Sequence, residues 1–295
     1  MTGARAPATV ADVDRAGDTG SERVSTRNGL VLGIVLTTDP EGSRAALGEF
    51  CKALGAATGL PVRGKGVWSY QGLLEAMDAG DADLAWLPPL LALRATNRAR
   101  VVPLALPVRN GASSYMTALF ARHDTPHREV RDLRELRAAW VDRQSAAGYL
   151  VLRAHLRSLG VNLEEAFCEN LFCGTHDEVT RAVLDGDADV GATFMHVEPD
   201  EAHPQGERIV RAGWGDAAVH VVTRAGPIPA DVMAASVRVP VATMRAVQRA
   251  LVSTEDDALR SAARALFGAE SFVGALSEHL DPLSRLIARI EEPSG

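Results

Sequence analysis

The sequence predicts an α/β fold built as two similar lobes, joined by a hinge of two crossing strands. Three observations carry that expectation. One stretch is written twice: residues 69–84 read SYQGLLEAMDAGDADL and residues 175–190 read THDEVTRAVLDGDADV. At a constant offset of 106 residues Ala76, Gly80, Asp81, Ala82 and Asp83 meet Ala182, Gly186, Asp187, Ala188 and Asp189, and the apolar Leu73, Met77 and Leu84 meet Val179, Val183 and Val190. Each copy describes an apolar-faced helix, a Gly that stops it, an Asp-rich turn and a buried strand. The offset is far longer than the roughly 20–50 residues of a solenoid repeat, so it points to duplicated lobes. Strand-like and helix-like patterns also alternate along most of the chain, which implies a mainly parallel sheet in each half. Finally, 295 residues suffice for two lobes with separate cores.

In chain order, residues 1–29 read as a disordered polar leader, residues 30–115 and 224–295 as lobe 1, and residues 116–223 as lobe 2. Leu30–Leu36 is a buried strand, and Pro40 to Thr58 a helix with Ala46, Phe50, Leu54 and Ala57 on one face. A short strand at Pro61–Lys65 leads to the first repeat helix, Tyr70 to Ala79. Asp83–Leu87 is the next strand, and Pro88-Pro89 opens another helix. Val101–Val108 and Tyr115–Ala121 are strands separated by the turn Asn110-Gly111. Asp132–Leu136 reads as a helical turn, Ala138–Val141 as a strand, and Ser145 to Leu159 as a helix stopped by Gly160. Leu171–Cys173 ends a strand, the second repeat helix runs from Asp177 to Leu184, and Val190–Phe194 is a strand. Glu198–Glu207 reads as a loop and Val219–Thr223 as a strand. From Pro240 to Ile290 the pattern is helical, with breaks near Ser253–Glu255, Gly268 and Asp281-Pro282.

Composition narrows the function classes. The net charge of −7 argues against non-specific nucleic-acid binding and against adhesion to an anionic membrane. A small oxyanion is still admissible, because backbone N–H groups at a helix start can hold one. The leader has no apolar run of the length a signal peptide needs, no cysteine in it can anchor a lipid, and no segment is long enough to insert directly into a membrane; the expected location is cytoplasmic. Three cysteines, Cys51, Cys168 and Cys173, make no disulfide framework. Cys168, Cys173 and His176 lack a fourth ligand for a metal, and Cys173 with His176 lacks the orienting group a nucleophile pair needs. Neither a metal, a cofactor nor a catalytic residue is expected.

The junction Val141-Asp-Arg-Gln-Ser145-Ala146-Ala147-Gly148-Tyr149 is the strongest site signal. A strand ends, and a helix begins with Ser at the capping position. The N–H groups of Ala146, Ala147 and Gly148 then face outward with the positive end of the helix dipole behind them. The same pattern also fits a well-capped, tightly packed helix start. Tyr70 and His176 hold equivalent places in the repeat, each at the start of its helix, where Tyr donates a hydrogen bond and His donates or accepts one; each equally suits packing or capping. Tyr115 begins a strand that leaves the first lobe. Asp142, Asp177 and Asp216 lie near strand or loop ends, where they serve either as turn residues or as partners for a cationic group.

With these segments laid out, the chain resembles the phosphate/phosphite/phosphonate-binding proteins of ABC importers, a branch of the type 2 periplasmic-binding-protein superfamily. The matching text includes Leu32-Gly33, Ser69-Tyr70, Asp83-Leu-Ala-Trp-Leu-Pro88, Tyr115, Asp132-Leu133, Ser145-Ala-Ala-Gly-Tyr149 and Gly174-Thr-His176-Asp177. The resemblance implies a type 2 periplasmic-binding-protein-like fold. It also implies an oxyanion held at the Ser-bearing helix start, with Tyr70, Tyr115, Ser145, Ala146, Ala147, Gly148, His176 and Asp177 in the ligand-binding positions. Family members usually carry further hydroxyls where this chain has Ala146 and Ala147, which opens the site to a carboxylate or a less charged oxyanion.

The expected function is therefore binding of a small oxyanion (phosphonate, phosphate or related) between two lobes, with an ABC permease as partner if the protein is exported. The alternative is a cytoplasmic enzyme on the same fold acting on a small anionic metabolite, as chorismate dehydratase does. A regulator of this fold needs a helix-turn-helix, which 29 polar residues do not supply.

Overall fold

The computed structural model describes residues 29–36, 40–199, 207–253, 255–276 and 279–285. The expected leader lies outside them, apart from Gly29. The described residues form a mixed α/β structure with two sheets, divided into two compact units. Unit 1 holds those up to Ser113 and from Pro229 to Asp281; unit 2 holds Ser114 to Ile228 and the described residues from Pro282 on.

Unit 1 begins with β1 (Leu30–Val35), α1 (Pro40–Thr58), β2 (Val62–Val67), α2 (Tyr70–Ala79), β3 (Leu84–Leu87), α3 (Pro89–Asn97) and β4 (Val101–Val108). Unit 2 runs from β5 (Ser114–Arg122) through β6 (Leu136–Trp140), α4 (Val151–Ser158), α5 (Leu163–Ala166), β7 (Phe167–Phe172), α6 (His176–Leu184), β8 (Val190–Pro199) and β9 (Glu207–Ala212) to β10 (Val219–Pro229). The chain then returns to unit 1 for β11 (Val232–Ser236), α7 (Val241–Val252), α8 (Asp257–Phe267) and β12 (Ser271–Gly274). The sheet of unit 1 has the order β2-β1-β3-β11-β4-β12, and that of unit 2 β7-β6-β8-β5-β10, with β9 also paired to β8.

The repeat extends well beyond the segment that reveals it. In unit 1 Leu32 pairs with Leu84 and Gly64; in unit 2 Ala138 pairs with Val190 and Asn170, each residue again 106 further on. Both repeat helices start on a hydroxyl cap. Ser69 Oγ accepts from Gly72 N–H at 3.1 Å, and Thr175 Oγ1 accepts from Glu178 N–H at 3.2 Å. Both end at a glycine with positive φ, Gly80 at 79° and Gly186 at 84°, a backbone region that costs glycine nothing. The last Asp of each copy then ties the strand's entry to its neighbour. Asp83 N–H donates to Val31 C=O at 2.8 Å, while the Asp83 carboxylate accepts from Val31 N–H at 2.9 Å. Asp189 does the same to Arg137, at 2.9 and 2.8 Å.

Each unit has its own apolar interior. Phe50 and Leu54 of α1, Met244, Val247 and Leu251 of α7, and Leu259, Ala263 and Phe267 of α8 pack on one face of the first sheet. In unit 2 Trp140, Leu152, Leu156 and Phe167 form one cluster, and Val179, Val183, Phe120 and Trp214 another.

Several expectations need correction. The boundaries expected at 115/116 and 223/224 fall at 113/114 and 228/229, because the ladders of β5 and β10 keep each strand within one sheet. Pro282 to Arg285 go with unit 2 rather than with lobe 1. The helical tail is interrupted by β12, which pairs antiparallel with β4, and residues 286–290 lie outside the described chain. The expected loop from Glu198 is occupied at its ends by β8 and β9, with residues 200–206 outside the described chain. The turn at Asn110 and Gly111 has positive φ at both residues, 50° and 71°, but it closes only an isolated bridge between Arg109 and Ala112. It marks the exit from unit 1, not a hairpin.

Candidate ligand site

The C-terminal ends of β6 and β7 bring the expected residues of unit 2 together. Open α/β sheets bind ligands at this edge. After β6 the chain turns through Asp142, whose Oδ1 accepts from Gln144 N–H at 2.7 Å. Ser145 then caps the next turn by accepting from Gly148 N–H at 3.0 Å. That turn is wider than an α-helix: Leu150 N–H donates to Ser145 C=O, and Val151 N–H to Ala146 C=O, both five residues back. Wide turns of this kind recur at functional sites. The expectation of three outward N–H groups is corrected here, since Gly148 N–H is taken by the cap. Ala146 and Ala147 keep first-turn N–H groups that no helical carbonyl can reach. The Ser145 hydroxyl uses a lone pair in the cap and keeps its proton to donate. Gly148 is required by close approach, because a Cβ there would overlap the Val141 side chain.

After β7 two backbone bonds hold the following loop against the end of β6. Cys173 N–H donates to Trp140 C=O and Gly174 N–H to Val141 C=O, both at 2.8 Å. His176, the first residue of α6, therefore stands at the same edge as Ser145. It is half-buried, and its Nδ1 lies 2.8 Å from Thr193 Oγ1. Its ring meets Phe194 edge-on at 5.0 Å. Burial lowers its pKa below the usual histidine value, against the smaller opposing pull of Asp177 and Asp142. Asp177 beside it is exposed. Tyr115, near the start of β5, is half-buried with its ring 5.8 Å from that of His196.

Tyr70 is the matching first residue of α2 in unit 1. Its phenol pKa is raised, chiefly by burial and then by the negative charge of Asp231. Asp231 was not foreseen from the sequence. Its carboxylate is paired with Arg109 at 3.1 Å, and Arg109 also donates twice to the carbonyl of Phe267 at the end of α8. Burial nonetheless raises the Asp231 pKa, outweighing Arg109. Thr117 and Thr193 were missed as well; both are fully buried in strands, where Thr is common enough to give no signal. Asp216 is exposed in the turn after β9.

The cysteine alternatives gain nothing from the geometry. Cys173 has a pKa raised by burial and by Glu178, which disfavours a thiolate, and the His176 Nδ1 partner is Thr193. Among the described residues no cluster of His, Cys, Asp and Glu could hold a metal ion. Among them, too, no helix is long and apolar enough to cross a membrane.

Comparison with known proteins bears on the family and the fold. A family model described as "ABC transporter, phosphonate, periplasmic substrate-binding protein" matches residues 32–280. The phosphate-import protein PhnD of Mycolicibacterium smegmatis is 28% identical over 175 residues, 56% of this chain and 54% of that one, so the chain spans about half the length of this curated relative. Among solved structures, XAC2383 from Xanthomonas citri bound to ATP superposes with a TM-score of 0.71 at 19% identity, over 90% of this chain and 98% of that one. PhnD1 from Prochlorococcus marinus in complex with methylphosphonate gives 0.63 at 14% identity, over 90% and 99%. The binding component of an ABC phosphonate transporter from Pseudomonas aeruginosa gives 0.63 at 19%, over 88% and 86%. At these identities the structures speak for the two-lobe periplasmic-binding-protein fold. The family is described as periplasmic, so the cytoplasmic location expected from the polar leader finds no support in it. With the family model matching most of its length, the chain belongs to the phosphonate-binding family of ABC transporter substrate-binding proteins.

Proposed function

We propose that this chain binds a small phosphonate, phosphate or related oxyanion at the turn Ser145–Gly148, and presents it to an ABC permease. The observation that carries this reading is the turn itself: a donor hydroxyl and first-turn N–H groups stand at the same sheet edge as His176, in a chain of this family. Ser145 donates its hydroxyl proton, Ala146 and Ala147 their N–H groups, and His176 a ring N–H. Gly148 keeps the turn close to Val141. Asp177 and Tyr115 border the same part of unit 2 and select the organic group attached to the anionic head. For unit 1 the family likeness nominates Tyr70.

Calorimetry of folded, ligand-free protein tests this against phosphate, phosphite, methylphosphonate, 2-aminoethylphosphonate and simple carboxylates. Saturable heat with at least one phosphorus oxyanion is expected. A hydrogen bond to a charged group contributes about 1.5–3 kcal/mol, so Ser145→Ala is expected to weaken that binding roughly 10- to 100-fold. Unchanged affinity in Ser145→Ala would remove the hydroxyl from the reading. A carboxylate as sole ligand would move the protein away from phosphonates.

A further inference from the structure

His176 reaches the site edge on a helix, but its ring is held by a buried threonine on β8, whose own backbone carbonyl meets a second buried threonine on the neighbouring β5. Thr193 Oγ1 lies 2.8 Å from His176 Nδ1, on a residue that is fully buried. Room for that hydroxyl comes from Gly213, where any Cβ would overlap it. Gly213 is itself held by Thr180, whose hydroxyl donates to its carbonyl at 3.1 Å, and by its own N–H, which donates to Phe194 C=O at 3.1 Å. On β5, Thr117 Oγ1 donates to Ala147 C=O at 2.6 Å and lies 3.2 Å from Thr193 C=O. A continuous set of bonds thus links the Ser145 turn, β5, β8 and the imidazole.

The chemistry of the Thr193 hydroxyl decides the ring's protonation. A buried hydroxyl needs an acceptor for its single proton, and the acceptor in reach is His176 Nδ1. If Nδ1 carried a proton, it would take the hydroxyl's lone pair and leave the hydroxyl proton with no acceptor. We propose that Thr193 is a positioning residue that fixes His176 as the neutral Nε2–H tautomer, so that this chain meets its oxyanion with an uncharged N–H donor. The low pKa imposed by burial agrees with that. The charged and titratable groups around the ring are Asp177 on its own helix, Asp142 from the loop after β6, His196 on β8 and Arg211, whose guanidinium lies 5.7 Å over the Phe194 ring. The carboxylates favour protonation of His176 and burial opposes it more strongly; the Thr193 hydroxyl, by needing Nδ1 as its acceptor, acts on the same side as burial. The role in binding rests on the reading of His176 as an anion contact; the tautomer does not.

The test is nitrogen-15 NMR of the imidazoles across pH 5.5–8, with His176 assigned by a His176→Gln variant, in wild type, Thr193→Val and Thr193→Ser. Wild type and Thr193→Ser are expected to show Nε2–H as the single tautomer of the neutral ring. Thr193→Val is expected to show mixed tautomers and a titration moved toward the ordinary histidine value. Methylphosphonate affinities are then measured in the same proteins. The ratio of the Thr193→Val to the wild-type Kd, in which the ligand's own ionisation cancels, should be roughly tenfold at pH 8 and shrink toward pH 5.5 as the freed ring becomes a cation. An Nδ1–H or protonated His176 in wild type at neutral pH overturns the proposal, even if Thr193→Val does not fold. So does a Thr193→Val spectrum like that of wild type. A locked tautomer in a protein that gives no heat with methylphosphonate would leave Thr193 as assigned and remove the proposed function instead.

Discussion

Ser145 serves the fold and the proposed ligand with different parts of one hydroxyl. Its lone pair accepts from Gly148 N–H, and its proton is left to donate. Removing it therefore affects both: Ser145→Ala is expected to lose about 1 kcal/mol of stability from the cap, read as a lowered thermal midpoint, alongside its weaker binding. Gly148 lies one step further into the turn, and its role is steric. Substitution by Asp adds a charge to the site, but any side chain there first displaces Val141. Gly148→Ala is expected to destabilise the protein by about 1–3 kcal/mol in denaturant unfolding, although it adds no charge. His176 brings a pH dependence of its own. Its folded pKa is lowered, so the unfolded chain binds the proton more readily, and stability falls as pH drops below about 6.5 toward the folded value. His176→Gln is expected to flatten that slope in unfolding curves between pH 7 and 5. Of these residues the Ser145 cap was legible in the sequence, because capping chemistry is local, and His176 was marked by its place in the repeat; the steric role of Gly148 against Val141 was not. Thr193, Gly213 and Asp231 were not, since their partners lie far along the chain and only the folded sheet brings them together.

At the scale of elements the two Asp clamps are matched parts. Asp189 differs in adding a salt bridge at 2.8 Å to the Arg137 guanidinium, and its pKa is lowered first by that hydrogen bond. A lowered carboxylate stabilises the fold above its unfolded pKa of about 3.9, and that stability is lost as pH falls through the folded value below it. Asp189→Asn is expected to reduce the acid sensitivity of unfolding below about pH 4 while costing stability at pH 7, and Asp83→Asn to act on unit 1. Hydrogen exchange at Val31 and Arg137 N–H separates the two effects. The elements that local pattern conveys are those of the repeat, where Gly80 and Gly186 stop helices and apolar runs mark buried strands. The three strands that it did not convey have physical reasons for silence. β11 is central in its sheet yet reads Val-Met-Ala-Ala-Ser, and alanine has little preference for strands. β12 is four residues at an edge, and β9 reads Glu-Arg-Ile-Val-Arg-Ala, six residues with no strict alternation of polar and apolar.

For the molecule as a whole, the constant offset in strand pairing shows that both units are built from one β-α-β-α-β plan. They differ in what lies beyond the third strand of the plan. Unit 1 adds β11 after the chain has returned, while unit 2 adds β5 before its plan begins. Both additions are antiparallel to their neighbours. Fold and family do not by themselves name a ligand, and it is the proposed use of the Ser145 turn that narrows it to an oxyanion. Calorimetric titration of folded, ligand-free protein with methylphosphonate and phosphate tests that claim most directly. Saturable binding that weakens roughly 10- to 100-fold in Ser145→Ala is the expected result; no heat from any phosphorus oxyanion, in protein shown to be folded and empty, would contradict it.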